Sequence, residues 1–315
     1  MTDAPLKTKP SPPAGLPVLG FVLLAAVTIF WGINWPGMKI VLGEIPPWWF
    51  RTICLAVGGA ALLVLSRLSG NRLQVTRADI GPLMLCGVFN MVGWHLFSAY
   101  GLTLVPAGRA SIIAFTMPVW AALAAVPVLG ERVSLPVFAG LALGMAGLGI
   151  LIGHDISVLG SAPTGSLMML GAAVSWGIGT VLFKRFDWQT PVATIIGWQL
   201  LSASLPVGIG AAILETPPDL TALSHSAIIA LVYVLAFPMV FCQWAYFRIV
   251  RMFPAVYAAI GVMAVPVIGV YSSLVVLGEA VGWREVLALV LVCSAIFTVL
   301  VLPRLRAGKH RTQTG

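Results

Sequence analysis

The residues F-T-M-P-V-W-A-A-L-A-A-V-P-V-L-G-E at Phe115–Glu131 return as M-A-V-P-V-I-G-V-Y-S-S-L-V-V-L-G-E at Met263–Glu279. A constant offset of 148 residues relates Pro118 to Pro266, and it also aligns the closing L-G-E of the two stretches. Each stretch is apolar and long enough to cross a bilayer. Each proline precedes its glutamate by 13 residues, which is roughly 20 Å along an α-helix. The pattern indicates an internal duplication, with each glutamate at a membrane edge and each proline a little past the middle.

The composition is that of an integral membrane protein. Hydrophobic residues make up 59% of the 315 residues and charged residues only 9%, and the carboxylates fall between or at the ends of long apolar runs. At about 20 apolar residues per span, the sequence predicts an all-α membrane protein with ten transmembrane helices. The predicted spans are 17–41, 48–66, 80–101, 107–128, 134–152, 166–185, 192–214, 224–249, 255–277 and 283–302.

A second pair of similar stretches extends the duplication to whole halves. The residues W-G-I-N-W-P-G-M-K at 31–39 and W-G-I-G-T-V-L-F-K at 176–184 share Trp, Gly, Ile and Lys at an offset of 145. Five helices per half is an odd number, so the second half crosses the membrane in the opposite sense, and such an inverted repeat places a binding site between the halves near mid-membrane. The predicted parts are a tail at 1–16, a first repeat at 17–152, an outer loop at 153–165, a second repeat at 166–302 and a tail at 303–315.

The distribution of charge predicts the orientation. A net charge of +8 would suit a nucleic-acid partner, but fourteen of the eighteen basic residues fall on one side when the N-terminus is placed inside. This positive-inside bias predicts a multi-pass protein of the cytoplasmic membrane with both termini in the cytoplasm. The expected partners are the lipid bilayer and a small-molecule substrate, without nucleic acid, and the sequence leaves the oligomeric state open.

Together these motifs resemble a known family. The two Trp-Gly motifs with a lysine seven residues after each glycine, the prolines at 118 and 266 and the two L-G-E motifs resemble the EamA-type transporters of the drug/metabolite transporter superfamily. The likeness covers residues 20–302. It implies two inverted five-helix repeats around a central cavity, alternating access, and export of small metabolites such as amino acids.

The candidate cavity residues are aromatic and polar side chains within the predicted spans. Aromatic faces attract apolar groups and ammonium cations, so these side chains predict an uncharged, zwitterionic or weakly cationic substrate with an apolar portion. The candidates are Trp31, Asn34, Asn90, Trp94, His95, Trp120, Trp176, Gln243 and Tyr257. Pro118 and Pro266 are the predicted helix breaks or hinges, and Glu131 and Glu279 are predicted to be structural residues at helix ends.

Other function classes find little support. No nucleophile with a base, metal-binding motif or pair of aspartates is present, so we expect neither an enzyme nor a cofactor or metal. A nucleotide-sugar or phosphorylated-metabolite transporter of the same superfamily is the alternative. Its substrate would need a mid-membrane cluster of Lys or Arg, and the predicted spans contain none. Arg51 lies one turn inside its span; it is expected to snorkel outward or pair with Glu44, and the alternative is contact with an anionic group at the outer mouth.

Overall fold

The computed structural model describes residues 18–130, 135–159, 163–246 and 255–298. Over these ranges the chain is all-helical and contains no β-strand. Seven apolar stretches in the described part are long enough to cross a membrane. They are Leu19–Leu42, Pro47–Leu68, Arg77–Leu104, Ala107–Leu129, Thr164–Arg185, Val192–Leu214 and His225–Tyr246. The chain is therefore a multi-pass membrane protein, and the prediction of an all-helical membrane fold is confirmed.

The helices follow the apolar runs of the sequence. They are α1 (Val18–Leu42), α2 (Pro47–Leu68), α3 (Arg77–Gly87), α4 (Trp94–Leu104), α5 (Ala107–Ala114), α6 (Met117–Leu129), α7 (Leu135–Leu159), α8 (Thr164–Arg185), α9 (Val192–Leu214), α10 (His225–Val234), α11 (Ala255–Leu277) and α12 (Trp283–Ile296). A π-helical segment at Val88–Gly93 joins α3 to α4, and a second one at Leu235–Phe241 follows α10. Helix α7 continues to Leu159, beyond the predicted end at 152, because hydropathy marks only the apolar part of a helix.

Proline and glycine set many of the helix ends. Pro46, Pro106 and Pro191 immediately precede α2, α5 and α9, where proline has no N–H to lose and its fixed φ starts the helix. The glycines of the two L-G-E motifs, Gly130 and Gly278, both adopt left-handed φ angles of 69° and 66°. Glycine takes this conformation without steric cost and ends a helix there.

The closest helix pairs join the two predicted halves of the chain. Helix α2 packs against α9, α1 against α11, α4 and α6 against α8, and α7 against α12. The buried apolar side chains lie along these contacts. The bundle is therefore built by interleaving its halves, and a space between them is enclosed by helices from both.

In the described residues, three helical irregularities lie within or directly beside stretches that line the cavity described below. Phe115 and Thr116 form a turn that separates α5 from α6, and the two π-helical segments interrupt the neighbouring spans. A π-helical turn contains an extra residue and frequently occurs at functional sites. These irregularities place side chains on the wall of the cavity described below.

Candidate functional site

A cavity lies between the helices of the two halves. It contains about 700 Å³ of space free of protein atoms, part of which is open to solvent. Its lining residues are Trp31, Asn34, Trp35, Met38, Arg51, Trp94, His95, Phe115, Met117, Trp176, Val234, Pro238, Met239 and Gln243. The wall is mainly aromatic and aliphatic, with a few polar groups.

The structure brings together most of the candidate residues predicted from sequence. The lining includes six of the nine candidates, namely Trp31, Asn34, Trp94, His95, Trp176 and Gln243. Asn90 and Trp120 are not among the lining residues, and the side chain of Tyr257 lies outside the described residues. That any of these residues binds a substrate stays a prediction.

Asn90 and Trp120 occupy helix contacts instead. Asn90 is buried in the first π-helical segment and packs directly against Gly179 of α8. Trp120 donates from Nε1 to Thr116 Oγ1 at 3.1 Å, and its Cβ atom packs against Gly177 of α8. The sequence predicts the depth of a residue in the membrane but not the direction of its side chain.

The Trp-Gly motifs have the same arrangement in both halves. Trp31 and Trp176 line the cavity, whereas the following glycines lie at helix crossings. A Cβ atom on Gly32 would overlap the side chain of Ile268 of α11, and one on Gly177 would lie 2.8 Å from the backbone nitrogen of Ala121 of α6. The glycine permits close packing of two helices, and this packing brings the tryptophan to the cavity wall.

Aromatic rings are paired around the cavity. The ring centroids of Trp94 and Trp176 are 5.1 Å apart with an interplanar angle of 58°, and those of Trp31 and Tyr246 are 5.5 Å apart. Ring pairs at these separations attract each other beyond their area burial. They hold the indole faces in fixed orientations.

Arg51 departs from the expected behaviour. Its side chain is only 2% exposed and it neither snorkels outward nor pairs with Glu44, so that prediction is wrong. Arg51 Nε donates to the carbonyl of His95 at 2.9 Å, and Nη2 donates to Ser98 Oγ at 2.9 Å. Arg51 lies only one turn after the start of α2, as predicted. Its side chain is nevertheless buried, because it points between α1 and α4 and not toward the membrane edge.

His95 is held in one tautomer by its neighbour in the π-helical segment. Its Nδ1 lies 2.8 Å from the carbonyl oxygen of Met91. Because a carbonyl oxygen can only accept, Nδ1 carries the proton, and Nε2 is an acceptor in the neutral ring. The residue thus adds a hydrogen-bond acceptor to the cavity wall.

Carboxylates lie at helix ends rather than in the cavity. The carboxylate of Glu279 accepts from the backbone N–H groups of Ala107 and Gly108 at 2.6 and 2.9 Å, at the first turn of α5. Glu44 accepts from the hydroxyl and the backbone N–H of Ser224, and these hydrogen bonds lower the pKa of its carboxyl group. Glu131 lies outside the described residues.

The prolines at 118 and 266 occupy different environments. Pro118 is the second residue of α6, directly after the break at 115–116, whereas Pro266 lies inside the continuous helix α11. Proline is well accommodated at the start of a helix but removes a hydrogen bond inside one. Their action as hinges stays a prediction.

Three features of the site were not predicted from sequence. The second π-helical segment brings Pro238 and Met239 to the wall, the turn after α5 brings Phe115 and Met117, and the burial of Arg51 adds a cation. The available signals were the alignment of Pro238 with Asn90 in the repeats and the position of a charged residue inside a span.

Comparison with known proteins agrees with this architecture. Residues 18–153 and 163–301 each match the EamA-like transporter family. The chain is 25% identical to an uncharacterized transporter, YoaV, of Bacillus subtilis, covering 87% of this chain and 94% of that protein. It is 23% identical to a probable amino-acid metabolite efflux pump of Salmonella typhimurium, covering 88% and 93%.

Two further similarities are partial or concern the fold alone. The aromatic amino acid exporter YddG of Ancylobacter novellus is 29% identical over 52% of this chain and 57% of that protein. A solved crystal structure with 21% identity superposes with a TM-score of 0.66 and covers 91% of this chain and 98% of that one. With both halves matched by one family and a cavity between them, the chain belongs to the EamA-like transporter family, within the drug/metabolite transporter superfamily.

Proposed function

We propose that this transporter exports small amphipathic metabolites, such as amino acids, across the cytoplasmic membrane. The observation that carries the proposal is the cavity, whose wall combines four tryptophans with amide, imidazole and guanidinium groups. Such a wall suits a solute with an apolar body and a small polar head. Two relatives bear names that refer to amino-acid export. The nucleotide-sugar alternative is not favoured, because the lining contains one guanidinium and no lysine, whereas phosphate groups are bound by several cationic side chains.

The proposed architecture is ten transmembrane helices in two inverted five-helix repeats. Its support is the double match to one family and the recurrence of local features at or within one residue of the 148-residue offset. The π-helical segments start at Val88 and Leu235, and the left-handed glycines are Gly130 and Gly278. Irregular backbone of this kind is expected where it is buried in protein or lines a cavity.

Transport by alternating access requires that one end of the cavity closes while the other opens. Carboxylates join distant elements at one end of the bundle, where Glu44 contacts Ser224, Glu215 contacts the backbone of Trp48, and Glu279 contacts that of Ala107. We call this end of the bundle the Glu279 end. We propose that the structure represents a state in which the cavity is closed at the Glu279 end. With both termini in the cytoplasm, the Glu279 end faces outward and the solute enters from the cytoplasm.

The proposal is tested by transport in proteoliposomes that contain the purified chain. The assay measures uptake of radiolabelled amino acids and amphipathic amines, with and without an imposed proton gradient. Saturable uptake is expected for at least one amino acid with an apolar side chain. Trp176→Ala removes an aromatic wall and should weaken apparent affinity about tenfold, which is about 1.4 kcal/mol and lies at the low end of what burial of an aromatic side chain contributes.

Trp120→Ala is the matched control, because Trp120 packs between helices rather than on the cavity wall. It should change the yield of folded protein more than the apparent affinity. Absence of uptake for every amino acid, together with uptake of a phosphorylated metabolite, would overturn the proposed function.

A further inference from the structure

A buried cation on the cavity wall has no anionic partner in the described structure. Arg51 lines the cavity and is 2% exposed. Its polar neighbours are the carbonyl of His95, the hydroxyl of Ser98, the sulfur of Met38 at 3.4 Å and the thiol of Cys54. All four are uncharged. No carboxylate in the described ranges forms an ion pair with it.

An isolated charge in an apolar environment is costly, so ionisable groups within membrane proteins are usually paired or functional. Arginine remains protonated in such settings. Three of its five N–H groups donate in the hydrogen bonds to His95, Ser98 and Met38. The packing therefore fixes the guanidinium at the cavity wall. Its Nη1 donates in none of these three hydrogen bonds, and the thiol of Cys54 is its remaining polar neighbour.

A second side chain near Arg51, that of Asn34, has an oxygen atom without a hydrogen-bond donor. The Oδ1 atom of Asn34 is buried without a hydrogen bond, and Asn34 lines the same cavity. Its Nδ2 atom lies 3.4 Å from the sulfur of Met38, the same atom that Arg51 Nη2 contacts at 3.4 Å. The two nitrogens are therefore no further apart than twice that distance. Asn34 Oδ1 can accept a hydrogen bond and Arg51 can pair with an anion. A solute that carries both an anionic group and an N–H group would satisfy the two side chains together.

We propose that Arg51 binds the carboxylate of the transported solute inside the cavity. This inference rests on the proposed function and narrows its substrate class: the solute is a monocarboxylate whose apolar body lies against the tryptophans. Arginine suits this task because its planar fork binds a carboxylate through two parallel hydrogen bonds. Asn34 Oδ1 accepts an N–H of the same solute. Solutes that are only cationic are excluded, because they would add a positive charge beside the guanidinium.

The test measures binding separately from transport. Purified protein in detergent is titrated with phenylalanine, with phenylalaninamide, which lacks the carboxylate, and with 3-phenylpropionate, which lacks the amine. The readout is intrinsic tryptophan fluorescence excited where the ligands do not absorb. Wild type should bind the two carboxylates at least about tenfold more tightly than the amide, since a hydrogen bond to a charged group contributes more to the free energy of binding than a neutral one.

Arg51→Gln should reduce this preference to about twofold or less, and Arg51→Lys should retain part of it because a point charge replaces the fork. Arg72→Gln is the matched control, because it removes the same charge from an exposed loop residue. It should leave the preference unchanged. Size-exclusion profiles of each variant separate loss of selectivity from loss of folding.

Equal binding of acid and amide by wild type, or an unchanged preference in folded Arg51→Gln, would overturn the inference. Failure of both phenylalanine and 3-phenylpropionate to bind wild type would also overturn it. Transport of amino acids by a protein that binds phenylalanine and phenylalaninamide equally would keep the proposed function and reject the role of Arg51. Selective binding without transport in proteoliposomes would keep that role and reject the proposed function.

Discussion

Gly177 lies where helix α8 crosses α6, and its missing side chain sets the distance between them. A Cβ atom at this position would lie 2.8 Å from the backbone nitrogen of Ala121 and 2.9 Å from the Cβ atom of Trp120. Backbone atoms cannot rotate away as a flexible side chain does. The crossing therefore depends on glycine, and the neighbouring Trp176 reaches the cavity only while the crossing stays close.

Gly177→Ala should lower the free energy of unfolding by about 1–3 kcal/mol, because overpacking forces the two helices apart. The measurement is denaturant unfolding of the purified protein in detergent. Gly149→Ala is the control: a Cβ atom there meets no other atom within 4 Å, and alanine favours a helix by about 1 kcal/mol over glycine. Equal stability changes at both positions would contradict the assigned role of Gly177.

Residue-level prediction from sequence is limited by side-chain direction. Trp120 and Trp176 have similar expected depths and lie beside a proline and a glycine respectively, yet Trp176 lines the cavity and Trp120 packs between helices. Arg51 shows the same limit, since a residue one turn inside a span can reach either the membrane edge or the bundle interior. Hydropathy carries no information on which of these directions is taken.

At the scale of elements, the two π-helical segments are the main departure from regular helices in the described chain. The carbonyl of Phe89 in the first segment is met by the hydroxyl of Ser175 on α8, at 2.8 Å. The same carbonyl also accepts from the backbone N–H of Trp94, so Ser175 adds a second hydrogen bond that comes from a neighbouring helix. Ser175 also packs closely against Gly93, so α8 follows the irregular part of the neighbouring span.

Ser175→Ala should destabilise the protein by about 1–2 kcal/mol, because it leaves a buried carbonyl with one partner fewer. Hydrogen exchange of the amides at 88–93 should accelerate. The control is Ser204→Ala: its hydroxyl donates to the carbonyl of Leu201 within the same helix α9, so its loss removes no contact between two elements. Unchanged exchange at 88–93 would show that Ser175 does not support the π-helical segment.

The elements were largely predictable and their irregularities were not. Apolar runs locate the helices because the bilayer demands a fixed apolar length, and prolines such as Pro46 and Pro106 mark starts that the structure shows. A π-helical turn adds one residue to a helix without changing its hydropathy. The sequence therefore predicted the span containing Asn90 and missed the local geometry that turns Asn90 toward α8 and His95 toward the cavity.

At the scale of the whole molecule, contacts between distant elements hold the Glu279 end together. Glu279 and Ala107 are 172 residues apart in sequence, and Glu215 and Trp48 are 167 apart. In each case a carboxylate accepts backbone N–H groups at the start of a helix, where the helix dipole adds to the attraction. In the proposed alternating-access cycle, these contacts separate when the cavity opens at that end.

Glu279→Gln should therefore shift the molecule toward a state that is open at this end. The substitution keeps the shape of the side chain but removes the charge, at a cost of about 1 kcal/mol, or about a fivefold change in the equilibrium. The reporter is Ser111→Cys in a background without the four native cysteines, because Ser111 is fully buried one turn below the contact, on the way to the cavity.

Labelling of this cysteine by a membrane-impermeant maleimide should be about fivefold faster in Glu279→Gln than with Glu279 intact. Asp219→Asn provides the control, since it removes the same charge from a carboxylate that contacts only its own loop through Thr221 and Ala222. A similar acceleration in both variants would indicate a general effect of charge. An unchanged rate in Glu279→Gln would mean that this contact does not hold the end closed, and that the state described here is kept by helix packing alone.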